Sequence, residues 1–204
     1  MRIAVLVSGG GTNLQALIDA HETFPNAEIA LVLSSNPDAY ALERAQKAGI
    51  TTAVVPKKDY PDHEEFTHAV MNVLTTHNVD LVVLAGFMVV LSPIFCDKYK
   101  NAVINVHPAL IPSFCGIGFY GLRVHKAVLD YGVKLTGATV HYVSAETDAG
   151  PVIAQKAIDV LPDDTPETLQ RRVMEQCEWP LLCETVRLHC GERLNVEGRR
   201  VRVN

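Results

Sequence analysis

No apolar run in the 204-residue chain approaches the ~18 residues that a membrane span needs. Met1-Arg2-Ile3 leads straight into a β-rich run, without the charged and then apolar order of a signal peptide. No lysine or arginine cluster is long enough to grip a nucleic-acid backbone, and the formal net charge is -5, so a nucleic acid or another large anionic partner is not expected. A single phosphate needs only a local site and stays open. Cys96, Cys115, Cys177, Cys183 and Cys190 show no Cys-x-x-Cys spacing; an odd count without metal-ligand spacing fits reduced thiols in the cytoplasm, with no structural metal. Repeats, linkers and low-complexity segments are missing too. What is present is 48% hydrophobic and 20% charged residues, enough for one well-filled core. One domain over 1-204 is expected.

Strand-like and helix-like stretches alternate along the chain. Arg2 to Val7 is a short β-rich run followed by Ser8-Gly9-Gly10-Gly11-Thr12-Asn13. Leu14, Leu17 and Ile18 then recur at helical spacing, and Thr12 with Gln15 matches a capping box. A glycine loop opening a helix lets backbone N–H groups approach an anion. It lacks both the Gly-x-Gly-x-x-Gly pattern and the lysine of a P-loop, so a tight βα turn is the competing reading. The second strand, Ile29 to Leu33, ends at Ser34-Ser35-Asn36-Pro37, without the acidic residue that a dinucleotide fold offers to a ribose. Ala39 to Ala48 reads as a helix, Thr52 to Val55 as a strand, and Asp62 as the cap of a helix reaching about His77. Asp80 to Ala85 is an apolar strand running into Gly86-Phe87-Met88-Val89-Val90-Leu91, which fits either core or the wall of a pocket for a flat ligand. Ser92-Pro93 opens a short helix. Beyond a long loop at Pro108 to Tyr120 come a helix (Leu122 to Tyr131), strands at Leu135 to Val143 and Pro151 to Val160, one helix from Asp164 to about His189, and a hairpin around Glu197-Gly198. The alternation predicts an α/β fold: a single doubly wound, mainly parallel sheet flanked by helices.

The most informative stretch is Ala102-Val103-Ile104-Asn105-Val106-His107-Pro108. A strand covered on both faces is a near-continuous apolar run, so an amide inside it needs a reason. Pro108 removes a ladder donor and biases His107 to extended geometry, so pairing should stop there. Asn105 and His107 then share one side of the strand, at the carboxyl end where open α/β sheets place their ligands. A capped strand end with a solvated histidine fits the same residues. Asp148 follows some forty residues on. An amide donor can stabilise an oxyanion, a histidine can move protons, and a carboxylate can orient and charge that histidine. No serine or cysteine sits in a nucleophile motif, so an acyl group would pass directly between two bound substrates.

Four segments carry a family resemblance: Ser8 to Asn13, Ala85-Gly86-Phe87-Met88, Ile104 to Pro112, and Asp148-Ala149-Gly150-Pro151-Val152-Ile153. In order and spacing the chain resembles the phosphoribosylglycinamide formyltransferases over nearly its whole length. The segment from Asn105 to Pro112, joined to the Asp148 motif, is similar to folate-dependent formyltransferases in particular. The resemblance implies a Rossmann-like fold and transfer of a formyl group from 10-formyltetrahydrofolate to the amine of 5-phosphoribosyl-glycinamide, in purine synthesis. It implies a phosphosugar-binding amino-terminal half and a folate-binding carboxyl-terminal half. Asn105, His107 and Asp148 would be catalytic, and Gly11, Thr12, Asn13 and Glu178 would bind the phosphorylated substrate. Folate would lie against His63, Met88, Val89, Val90, Leu91, Asn105, Val143 and Ser144. A cytoplasmic enzyme with small-molecule partners and no metal, nucleic acid or membrane is implied, as monomer or homodimer.

Some positions depart from the family pattern. Val89 and His63 stand where relatives often carry arginine, which removes positive charge near the expected glutamate tail of the folate. Ile117 stands where lysine is frequent, and Pro180 and Cys183 break the pattern around Glu178. His141 reads as a packed strand residue. A formyltetrahydrofolate hydrolase would share the catalytic set and use water as acceptor, but resembles this family with an added regulatory domain at its start. A methionyl-tRNA formyltransferase would add a nucleic-acid domain after the position where this acidic chain ends. A non-catalytic phosphosugar module would need the glycine loop but not Asn105, His107 and Asp148 together.

Overall fold

A computed structural model describes residues 1–204. Its strands hydrogen-bond in the order β3-β2-β1-β4-β5-β6-β7-β9-β8. The chain divides into two compact units, Met1–Ile104 and Asn105–Asn204, with the division inside β5 (Val103–His107). No helix is long and apolar enough to cross a membrane.

In the first unit β1 (Arg2–Val7) pairs in parallel with both β2 (Glu28–Ser34) and β4 (Leu81–Leu84), and β2 pairs in parallel with β3 (Thr52–Val54). Ile3 to Val7 are fully buried, as expected of a central parallel strand covered on both faces. The helices α1 (Thr12–Ala20), α2 (Tyr40–Lys47) and α3 (His63–Thr76) connect these strands, and α4 (Pro93–Lys98) follows β4. Chain order runs outward from β1 to β3 and then returns to β4 on the other side of β1. The strand order therefore reverses between β1 and β4, the position at which open α/β sheets leave a crevice at their carboxyl ends. The expected cap at Asp62 forms, its carboxylate accepting from the N–H groups of Glu64 and Glu65 at 2.8 Å. The expected capping box at Thr12 and Gln15 does not. Gly11 takes the N-cap position with φ 73°, and the Gln15 side chain is drawn away to Asp19 and Arg44.

In the second unit β6 (Leu135–Tyr142) is antiparallel to β7 (Val152–Asp159), and β8 (Leu194–Glu197) and β9 (Arg200–Val203) form the expected hairpin. The helix α5 (Leu122–Tyr131) is bounded by Gly121 and Gly132, both at positive φ. The expected single helix to His189 is instead α6 (Pro166–Val173), a π-helical segment at Met174–Glu178, and α7 (Trp179–Cys190). Pro180 explains the break: it lacks an N–H, and its ring crowds the carbonyl four residues back, so a wider turn precedes it.

His125, on α5, is fully buried, and neither ring nitrogen has a partner. Burial, aided by the neighbouring His107, pushes its pKa down to about 4. An unfolded histidine protonates near 6.5, so the fold loses stability as pH falls from there towards 4. That 2.5-unit gap corresponds to about 3 kcal/mol at the acid end. Urea unfolding at pH 7 and pH 4.5 should show this loss, and His125→Leu should lessen it; an equal acid loss in both proteins would show that other groups govern it.

Candidate active site

Two structures gather at the carboxyl ends of β1 and β4. After β1, Ser8 to Gly11 lead into α1. After β4, Gly86 starts the turn from Phe87 to Leu91. The Met88 N–H donates to Ser8 Oγ at 3.0 Å, and Ser8 Oγ lies 2.7 Å from Ser35 Oγ, so the loop, the turn and the end of β2 are tied together. Met88 is 57% exposed and Val90 59%, which favours a pocket wall over core for this turn. His63, at the start of α3, donates from Nδ1 to the Val90 carbonyl at 2.8 Å and so fixes the turn. The glycine loop, Met88 to Leu91 and His63 are thus neighbours within the first unit.

The second unit holds the other set. Asn105 and His107 lie on β5 as expected, His107 buried and Asn105 half-buried. Beyond Pro108 the chain is pinned by β6: Thr139 Oγ1 donates to the Ala109 carbonyl at 2.7 Å and accepts from the Ile111 N–H at 3.0 Å. The loop then brings the Phe114 carbonyl to His107 Nε2 (2.9 Å) and the Gly116 N–H to Asp148 Oδ2 (2.9 Å). Asp148 has φ 54°, in the left-handed region that a short polar side chain tolerates. Its Oδ2 lies 3.5 Å from His107 Nδ1, and its Oδ1 lies 3.7 Å from His141 Nε2. Close behind, Gly150 is obligatory: a Cβ there would overlap the Tyr142 carbonyl. Val143 and Ser144 are half-buried on the same turn, and the Ser144 hydroxyl folds back onto the Glu146 carbonyl at 3.0 Å.

His141 belongs to this set, although the sequence pattern treats it as packing. Its Nδ1 lies 3.0 Å from the Tyr142 carbonyl, which only accepts, so the proton sits on Nδ1. Nε2, 3.1 Å from Asn105 Nδ2, then accepts from the amide. A backbone carbonyl thus sets the histidine tautomer, and the histidine orients the amide. The second Asn105 N–H has no protein acceptor and stays available to an oxyanion. The pairing of β6 with β7 shifts register between Val140 and His141, and bulges of this kind re-aim side chains beside active sites.

The electrostatics depart from expectation at one point. Asp148 is desolvated, yet the neighbouring His141 and His107 rings and the Gly116 N–H together hold its carboxyl below the usual range, so it is ionised at neutral pH. For His107, burial lowers the pKa, and the Asp148 carboxylate and the Phe114 carbonyl only partly restore it. The expectation that Asp148 keeps His107 charged is therefore corrected: desolvation wins, and the ring is mainly neutral near pH 7. Glu178, at the end of the π segment, is buried.

The sequence pattern of the formyl transferases matches residues 1–186. The chain belongs to the formyl transferase family. It is 46% identical over 176 residues to the trifunctional purine biosynthetic protein adenosine-3 of Gallus gallus, covering 86% of this chain and 17% of that protein. The chain thus spans about a sixth of that much longer relative. Among solved formyl transferase structures it superposes on glycinamide ribonucleotide transformylase 1 from Symbiobacterium toebii with TM-score 0.93 and 40% identity, covering 100% of this chain and 93% of that one. A formyltetrahydrofolate deformylase from Pseudomonas syringae matches with TM-score 0.88 and 30% identity, covering 99% of this chain and 65% of that one.

Proposed function

We propose that the chain acts as one formyltransferase domain, moving the formyl group of 10-formyltetrahydrofolate to the amine of 5-phosphoribosyl-glycinamide in purine synthesis. The observation that carries this is the junction of Asn105, His107 and Asp148 in one cluster with His141. Likeness to the Symbiobacterium transformylase supports the choice of acceptor. Gly11, Thr12 and Asn13 bind the substrate phosphate, with Glu178 as a further contact to that substrate. Met88, Val89, Val90 and Leu91 form an apolar wall for the folate ring, with His63 behind them, and Val143 and Ser144 contribute from the turn before Asp148. The exposed Met88 and Val90 suit a flat apolar ligand. Five cysteines, none of them in a disulfide, fit a cytoplasmic setting.

The residues divide the work. As the amine nitrogen bonds to the formyl carbon, negative charge gathers on the formyl oxygen, and the free Asn105 N–H donates to it. The nitrogen becomes cationic and must lose a proton before the old carbon–nitrogen bond breaks. A largely neutral His107 accepts that proton, and the Asp148 carboxylate stabilises the imidazolium. The same proton then returns to the departing folate nitrogen, so no proton or electron is gained or lost overall.

Folate release measured with and without phosphoribosylglycinamide tests this function. Release is expected to require the amine substrate. An equal rate without it would overturn the proposal in favour of a hydrolase that uses water, the activity named for the deformylase relative.

A further inference from the structure

The glycine loop lacks the lysine that a P-loop sets beside its phosphates, yet it has a cation behind it. Arg44, on α2, donates from Nε to the Gly10 carbonyl at 2.8 Å and from Nη1 to Gln15 Oε1 at 3.0 Å. One guanidinium therefore holds both the loop and the first turn of α1. The Ala41 N–H, also on α2, donates to the Gly9 carbonyl at 3.0 Å. In a trans peptide the C=O and the next N–H point in opposite directions. Anchoring the Gly9 and Gly10 carbonyls to α2 turns the Gly10 and Gly11 N–H groups away from it, and neither donates to a protein acceptor. The fit leaves no slack: a Cβ on Gly11 would lie 2.6 Å from Ala41 Cβ and 3.4 Å from Arg44 Cδ.

Arg44 makes no direct salt bridge, and Asp19 reaches it only through the Gln15 amide. Glu43 beside it pairs with Lys47 instead. The Arg44 guanidinium lies 5.0 Å from the centre of the Tyr40 ring, which helps to fix its plane without cancelling its charge. A planar fork with several donors suits this double anchoring better than an ammonium would.

We infer that Arg44 is a positioning residue for the substrate phosphate. It holds the Gly10–Gly11 peptide with its N–H towards the anion and supplies the loop's positive charge. The inference rests on the phosphate reading of the loop given above.

The test is steady-state kinetics of the parent, Arg44→Gln and Arg44→Lys, with phosphoribosylglycinamide and with its dephosphorylated ribosyl analogue. In Arg44→Gln the KM for the phosphorylated substrate should rise about 10-fold, the scale of one charge-assisted hydrogen bond. Its kcat and folate KM should stay within about twofold, because the lost contacts act in binding. Inorganic phosphate should compete less well against Arg44→Gln than against the parent. Arg44→Lys restores charge but not the fork, so its KM should fall between the two, and it remains a usable test if the glutamine variant fails to fold. The dephosphorylated analogue should be equally poor with all three proteins. An unchanged KM in both variants, or the same loss on both substrates, would overturn the role of Arg44. A parent enzyme that turns over no phosphoribosylglycinamide would instead overturn the functional reading beneath it.

Discussion

Alanine at Asn105 is expected to lower kcat by about 10²–10³-fold, and alanine at His107 by about 10²–10⁴-fold. The double variant should lose far less than the product of the two. The reason lies in their common transition state. The Asn105 amide stabilises charge on the formyl oxygen, while His107 removes the proton that the same bond-making step places on nitrogen. Once either is missing, that step is no longer the one the enzyme favours, and the second loss has less left to remove. The geometry strengthens the coupling, since Asn105 and Asp148 both face His141 Nε2, at 3.1 and 3.7 Å, while Asp148 also faces His107. Both KM values should change little, because neither side chain is assigned to the phosphate, and folate rests mainly on the apolar turn. The measurement is single and double variant kinetics on purified protein whose circular dichroism matches the parent. Losses that multiply independently would refute the shared step.

The strand that carries Asn105 and His107 was legible because two local rules agree there. Pro108 stops the ladder, and period-two alternation puts the amide and the imidazole on one side. The strand–helix alternation gave the mainly parallel sheet for a similar reason: the apolar runs are short and bounded, and the central one, β1, is covered on both faces. Asp148 was a candidate by chemistry alone, since its approach to His107 depends on the Gly116 N–H and a left-handed backbone. The importance of His141 was hidden, because alternation marks it as strand packing and does not foresee the register shift beside it. Arg44 left no local signal either. Its partner Gly10 is 34 positions away, and only the β2–α2 crossover brings them together. The misread capping box has the same origin, since Arg44 competes for the Gln15 side chain. The lowered pKa of His107 was missed because a sequence shows the neighbouring carboxylate but not the depth of burial.

Asp148→Asn is expected to lower activity near neutral pH by about 10²–10⁴-fold, the range for a proton-transfer group that loses its function, and to move the acid limb of kcat to lower pH. Asparagine keeps an oxygen able to accept from the Gly116 N–H, now at 2.9 Å, so the loop contact can survive. What disappears is the negative charge 3.5 Å from His107 Nδ1. That charge opposes the desolvation that already holds His107 below its ordinary pKa of 6.5, so removing it lowers the pKa further. The sign follows directly. The imidazolium that forms when His107 takes the amine proton becomes harder to make, and the acid limb, where solvent protonates His107 before it can take that proton, shifts further towards acid. Titration of the His107 ring by NMR checks the electrostatics without turnover: the parent should titrate below 6.5 and the variant lower still. The pH dependence of kcat checks that the same group governs the reaction. An unchanged ring titration would show that Asp148 does not set the charge of His107. A shifted titration with an unchanged kcat profile would show that the proton of the amine leaves by another route.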